Sequence, residues 1–195
     1  MATITLTEAR ARAVKATQVN FGMRKTATAV LAESIASQTT DKTYDIFMSH
    51  PVLDAEVILG VKGILQDYGY SVYIDWIDDP QLDRKNVTPE TASTLRNRMN
   101  LCKSLFYTTT ENSPTSRWMP WECGYFDGKK SRTAILPVTA AGTDAYKGQE
   151  YLGLYPYISD GTRKSDSKKC LWVHHSPDIY VEFDSWLQGK EPTKH

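Results

Sequence analysis

From Tyr44 onward, short apolar runs alternate with segments whose apolar residues recur at helical spacing, and that alternation leaves few folds open. Tyr44-Asp45-Ile46-Phe47-Met48 reads as a strand that ends at Ser49-His50-Pro51. Asp54 then stands where a helix cap belongs. Val57, Ile58, Val61, Ile64, Leu65 and Tyr68 follow the helical period of about 3.6, and Gly69 supplies the stop. Tyr70 to Ile74 form a second strand that delivers Asp75-Trp76 to its end, and a polar loop follows through Asp78, Asp79, Pro80, Arg84 and Lys85.

The pattern continues. Thr88-Pro89 is a cap with proline at the first helical position, and Ala92, Leu95 and Met99 give that helix its buried stripe. Lys103 to Thr108 is the third strand, Ser116 to Asp127 a helix stopped near Gly128, and Ala134 to Val138 the fourth strand. Cys170 to His174 is the candidate fifth strand, after an irregular stretch over roughly 140–169. Ser176-Pro177 is read as the cap of a last helix with Ile179, Tyr180, Phe183, Trp186 and Leu187 on one face, ended by Gly189. Strands alternating with helices argue for an α/β fold with a parallel, doubly wound sheet. Residues 1–42 differ in texture, being rich in Ala, Thr and Arg. They read as an N-terminal helical extension, with a helix over roughly 6–35 interrupted near Gly22 and a polar linker behind it.

In doubly wound sheets, ligands bind outside the carboxyl ends of the strands where strand order reverses. That rule selects Ser49 and His50 after the first strand, Asp75 and Trp76 after the second, Thr109 and Thr110 after the third, and the helix start that carries Trp118-Met119-Pro120-Trp121-Glu122. Trp118 and Glu122 are four apart and share a helix face. Pro120 belongs in the first turn, where a missing N–H costs little, so Glu122 is expected near the positive end of the helix and ionised there. No Gly-rich phosphate loop occurs, which speaks against the usual dinucleotide fingerprint.

Other classes recede. The formal net charge is zero, which recommends neither nucleic acid nor an anionic membrane as partner. Apolar runs such as Ala134 to Val138 fall far short of the roughly 20 residues that cross a bilayer. Charged residues interrupt the first twenty positions, so no signal peptide is read and a cytoplasmic location is expected. Cys102, Cys123 and Cys170 are odd in number and lack a C-x-x-C pair, which argues for free thiols. His174-His175 would point to opposite faces of a strand, so no metal site is expected.

Three boxes in this order resemble a TIR domain, the Toll/interleukin-1 receptor fold, over residues 43–190. Tyr44 to His50 is similar to the first-strand box, Asp75 with the loop from Trp76 to Val87 resembles the BB loop, and Ser116 through Glu122 resembles the Ser-x-Trp-x-x-x-Glu signature of enzymatic members. Pro120-Trp121 before the glutamate and Leu82 to Lys85 at the loop tip depart from the usual pattern. The resemblance implies a five-stranded parallel, flavodoxin-like sheet and cleavage of the nicotinamide–ribose bond of NAD, which is substrate and not cofactor. It makes Glu122 the catalytic carboxylate, with Ser49, His50, Asp75, Trp76, Arg84, Lys85 and Trp118 around the substrate. The implied product is ADP-ribose or a cyclic isomer serving as an antiviral defence signal, with self-association of TIR domains and a separate effector that senses the nucleotide. The other class left open is a non-catalytic TIR adaptor that acts by TIR–TIR assembly.

Overall fold

The computed structural model describes residues 3–18, 23–39, 41–74, 88–116, 118–140 and 150–195. Its centre is one eight-stranded sheet in the order β2-β1-β3-β4-β5-β6-β7-β8. The strands are β1 (Tyr44–Ser49), β2 (Val72–Ile74), β3 (Cys102–Thr109), β4 (Thr133–Pro137), β5 (Tyr157–Thr162), β6 (Lys169–Ser176), β7 (Ile179–Glu182) and β8 (Thr193–Lys194). The first five are parallel and the last three are added antiparallel. The strand order reverses at β1, between β2 and β3, and in doubly wound sheets such a reversal is where ligands bind outside the carboxyl ends of the strands.

Six α-helices are described: α1 (Leu6–Thr17), α2 (Ala27–Ala36), α3 (Ala55–Asp67), α4 (Pro89–Asn100), α5 (Trp118–Lys130) and α6 (Phe183–Leu187). Two apolar clusters lie on the two sides of the sheet. One joins α1, α2, α3 and α6 through Ala9, Leu31, Ile58, Val61 and Trp186, and the other joins α4 and α5 through Leu95, Met99, Met119 and Phe126. Most residues of the parallel strands β1 to β4 are buried, because both faces of these strands are covered. Gly69, at φ 96°, turns the chain from α3 into β2.

The parallel core follows the expected strands and helices, while the carboxyl-terminal third corrects them. The fifth parallel strand is Tyr157–Thr162, inside the stretch read as irregular, and Cys170 to His174 belong to antiparallel β6. Asp160 and Gly161 hid β5, since neither residue favours a strand and propensity gives way to pairing on both sides. The helix expected after Ser176-Pro177 is also shorter. Ser176 pairs with Ile179 across a tight hairpin, so Ile179, Tyr180 and Val181 form β7, and only Phe183–Leu187 is helical. A β-branched and aromatic run beside a partner strand favours extension over the helical period. Gly189, at φ 97°, still ends the segment.

The amino-terminal segment contains two helices, α1 and α2, on either side of the interruption expected near Gly22, which itself lies outside the described residues. Thr5 caps α1 reciprocally with Glu8: the Glu8 amide donates to Thr5 Oγ1 at 3.1 Å and the Thr5 amide to Glu8 Oε2 at 2.9 Å. α1 lies directly on α3. A Cβ at Gly60 would stand 1.8 Å from the Ala9 carbonyl oxygen, so backbone meets backbone there. The side chain of Gln38, after α2, holds both backbone groups of Ile74 at 2.9 Å and so closes the outer edge at the end of β2.

Gly60→Ala must therefore push α1 off α3 and is expected to cost about 1–3 kcal/mol, the usual range for overpacking. Gly124→Ala, in open space on α5, should be neutral or stabilise by up to about 1 kcal/mol through helix propensity. Urea unfolding of the two variants checks the pair.

Candidate active site

The buried face of α5 consists of Trp118, Met119, Glu122, Cys123 and Phe126, at the spacing of one helical stripe. Four of these five side chains are the kind a core requires. The fifth is a carboxylate with no solvent exposure. Burying a carboxylate among apolar groups is costly unless hydrogen bonds compensate. At Glu122 the compensating donor is Ser49, the last residue of β1, whose hydroxyl donates to Oε2 at 2.5 Å.

The fold dictates this meeting. β1 pairs with β3 through Ser49 and Tyr107, and strand alternation turns Phe47 and Ser49 to the side where α5 packs. α5 itself begins at Trp118, with Pro120 in its first turn as expected and Lys129 and Lys130 at its end. The expected helix bounds thus shift: the stop is Ser131, at φ 51°, and not Gly128. Glu122 lies in the second turn. The field of a helix terminus falls off within the first turn, so the Ser49 hydroxyl replaces the helix end as the group that holds the carboxylate.

His50 is also buried, beside Ser49, with Nδ1 3.1 Å from the Pro51 carbonyl oxygen; that partner requires an N–H at Nδ1. Trp118, one turn before Glu122, is packed in the core cluster and meets Trp121 edge to face at 5.5 Å. The structure thus unites Ser49 with Glu122 and sets His50 and Trp118 next to them in the chain and in burial. Asp75, Trp76, Arg84 and Lys85, with the remainder of the loop over 75–87, lie outside the described residues.

Two groups around the site were not read from the sequence as what they are. Asp54 does not cap α3 with its side chain. Its carboxylate instead accepts from Thr110 Oγ1 and from Asn112 Nδ2 at 2.6 Å, and this ties the loop after β3 to the start of α3. Trp121 stacks on Tyr125 at 5.7 Å, and the Arg96 guanidinium of α4 stands over both rings at 5.5 and 5.9 Å. The signal for this stack was the aromatic pair four residues apart. Asp45, in the first-strand box, is structural: it accepts from the Ser71 amide and hydroxyl at 2.9 and 2.7 Å and from Lys103 at 2.8 Å. Partial burial would raise its carboxyl, but these donors outweigh burial and hold it below the usual carboxylate range.

No family model matches the chain. A protein of Bacillus cereus (strain MSX-D12) named "Probable 3′ cyclic ADP-D-ribose synthase ThsB′" is 51% identical over 170 residues, covering 87% of this chain and 88% of that relative. The chain belongs to the bacterial TIR family. A Cytobacillus dafuensis protein, provisionally named cyclic ADP-D-ribose synthase TIR2, is 33% identical over 85 residues, which are 43% of this TIR protein and 22% of the relative. Among the described residues, no group of three or more His, Cys, Asp or Glu side chains could hold a metal ion, and no helix is long and apolar enough to cross a membrane.

The cysteines of this TIR protein do not compete with Glu122 as a reactive group. All three are free and buried. Burial pushes the thiols of Cys102 and Cys123 up to about 12, so neither forms thiolate near neutral pH. Native protein at pH 8 should therefore resist iodoacetamide while urea-unfolded protein takes up one label per cysteine, as mass spectrometry will read. Ser49→Ala removes a donor from a fully buried carboxylate, and the expected loss is about 1–3 kcal/mol of unfolding free energy.

Proposed function

We propose that this TIR protein cleaves the bond between nicotinamide and ribose in NAD and closes the remaining ADP-ribose into a cyclic isomer, with Glu122 as the essential carboxylate. The observation that carries this reading is a glutamate with no solvent exposure, in hydrogen-bond contact with Ser49 at the carboxyl end of β1, where the strand order reverses. A carboxylate in a core stripe contributes nothing to packing that an apolar residue would not, and such departures from folding rules mark functional sites. The names of the two relatives, both cyclic ADP-D-ribose synthases, support the substrate and the product.

The chemistry needs little more than a fixed negative charge. The C1′–N bond breaks heterolytically, the electron pair goes to the pyridinium nitrogen, and nicotinamide departs neutral without a general acid. The ribose turns oxocarbenium-like, as in glycoside cleavage. An ionised Glu122 near the ribose hydroxyls stabilises that cation, and its effect grows as water is excluded. Ser49 holds the carboxylate in one orientation while its other lone pairs face the substrate. A nucleophile of the substrate's own adenine or ribose then attacks C1′ and loses its proton, and this closes the ring. Positioning decides between that nucleophile and water.

The remaining roles are assigned on the same reading. Trp118 and Trp76 wall the site, His50 and Asp75 line its mouth, and Arg84 and Lys85 take the diphosphate. NAD is the substrate and no cofactor is involved. Copies of the chain associate through their TIR domains with the loop over 76–87 at the contact, and a separate effector senses the product. Cytoplasmic NAD supplies the reaction.

Glu122→Gln keeps the size of the side chain and loses its charge. It is expected to lower nicotinamide release by at least about 10²-fold, the scale of one lost electrostatic contact in a transition state, with an unchanged circular dichroism spectrum. Chromatography with mass detection of the wild-type reaction should show a product lighter than ADP-ribose by one water. Release within a few-fold of wild type by the folded variant would remove Glu122 from the mechanism, and linear ADP-ribose alone across a full time course would remove the cyclisation.

A further inference from the structure

Glu122 lies on the face of the sheet covered by α4 and α5. The opposite face carries a second feature that the reaction does not use, a cavity of about 490 Å³ between α1, α3 and the β5–β6 hairpin. That volume is in the range of about 300–1,000 Å³ typical of small-ligand sites. One wall is apolar, from Ile4 and Ile64 and the ring of Tyr68.

The charges around it are not balanced among themselves. Arg12 is fully engaged: its Nε and Nη2 donate to the two oxygens of Asp67 at 2.7 and 3.0 Å. Glu8 is held by the backbone and hydroxyl of Thr5. Lys15 of α1 and Lys168 and Lys169 of the hairpin also line the cavity, and among the described residues none of them forms a salt bridge. The hairpin that presents the two lysines is stiff. Arg163 bridges Asp166 at 2.6 Å and Glu182 at 2.8 Å, and its backbone N–H donates to the Lys168 carbonyl at 2.8 Å.

At the floor is Asp160. Its Oδ2 accepts from the Tyr68 hydroxyl at 3.2 Å, and burial together with the Asp160 charge pushes that hydroxyl up, so it remains a donor. Its Oδ1 is shielded from solvent and has no hydrogen-bond partner in the described protein. Asp160 lines the cavity, and since Oδ1 is closed to a ligand, Oδ2 is the oxygen with acceptor capacity left, beyond the Tyr68 bond, for a donor from outside the chain. One side of the cavity thus asks for an anion, the floor for a hydroxyl donor, and the wall for a flat ring.

We propose that this cavity is a binding site for a nucleoside phosphate, separate from the Glu122 crevice. The phosphate meets Lys15, Lys168 and Lys169, a ribose hydroxyl donates to Asp160, and the base lies against Tyr68 and Ile64. Because α1 forms one wall and packs backbone to backbone on α3, a ligand there would tie the amino-terminal segment to the hairpin.

The test is calorimetric titration of the whole protein with AMP, ribose 5-phosphate and inorganic phosphate at low salt. AMP should bind most tightly, ribose 5-phosphate more weakly and phosphate weakest. The double variant Lys168→Ala/Lys169→Ala and the single variant Asp160→Asn should each weaken AMP at least about tenfold, as the loss of charge-assisted contacts implies. Glu122→Gln should leave this binding unchanged. The lysine variant changes only exposed side chains, so it decides the question even if Asp160→Asn fails to fold. Absence of AMP binding, AMP binding that the lysine variant leaves intact, or phosphate binding as tight as AMP would each overturn the proposal.

Discussion

A hydrogen bond from the Ser49 hydroxyl to the Glu122 carboxylate joins the sheet to the helix that carries the candidate site. It is the contact between the last residue of β1 and the second turn of α5, residues 73 apart in sequence. Everything around it serves to make that meeting unavoidable. The β1–β3 register presents Ser49 to the α5 side, the apolar residues of α5 fix the rotation of the helix, and the Arg96–Trp121–Tyr125 stack fastens α5 to α4. With the helix rotation so fixed, the carboxylate is confined to one orientation before any ligand arrives. Such preorganisation is what electrostatic catalysis requires.

On the proposed reading, the burial of Glu122 sets function against stability. Trp118, Met119, Cys123 and Phe126 fill the core cluster and hold α5 down, so the helix tolerates one costly side chain in the same stripe. The Asp54–Thr110–Asn112 network does comparable work near the carboxyl ends of the strands, since it fixes the loop after β3 to the start of α3. On the far face, α1 and α3 meet so closely that Gly60 has no room for a Cβ. The amino-terminal helices therefore share the core that the parallel strands build.

The parallel half of the fold was legible in the sequence because buried parallel strands and amphipathic helices leave strong, regular patterns. The strand carrying Ile46, Phe47 and Met48 and the helix carrying Ile58, Val61 and Leu65 could be placed within a residue or two. The Ser49 and Glu122 positions followed from the rule that sites form at carboxyl ends of strands. What hid was set by partners and not by local pattern. β5 contains Asp160 and Gly161 and is a strand because β4 and β6 pair with it, and β7 reads as helix until the hairpin at Ser176 is seen. The Glu122 carboxyl group was expected to be held by the helix end, whereas a hydroxyl from a distant strand bonds it, and a side-chain bond between residues so far apart leaves no local signal.

The account stands on Ser49 acting through Glu122 and not beside it. The most direct test is a double-mutant cycle on nicotinamide release from NAD, with Ser49→Ala, Glu122→Gln and the double variant each shown to be folded. Residues that work as a unit give non-additive losses. The double variant should be no slower than Glu122→Gln alone. If the two losses instead multiply, Ser49 and Glu122 act independently and the buried hydrogen bond is not the foundation of the site.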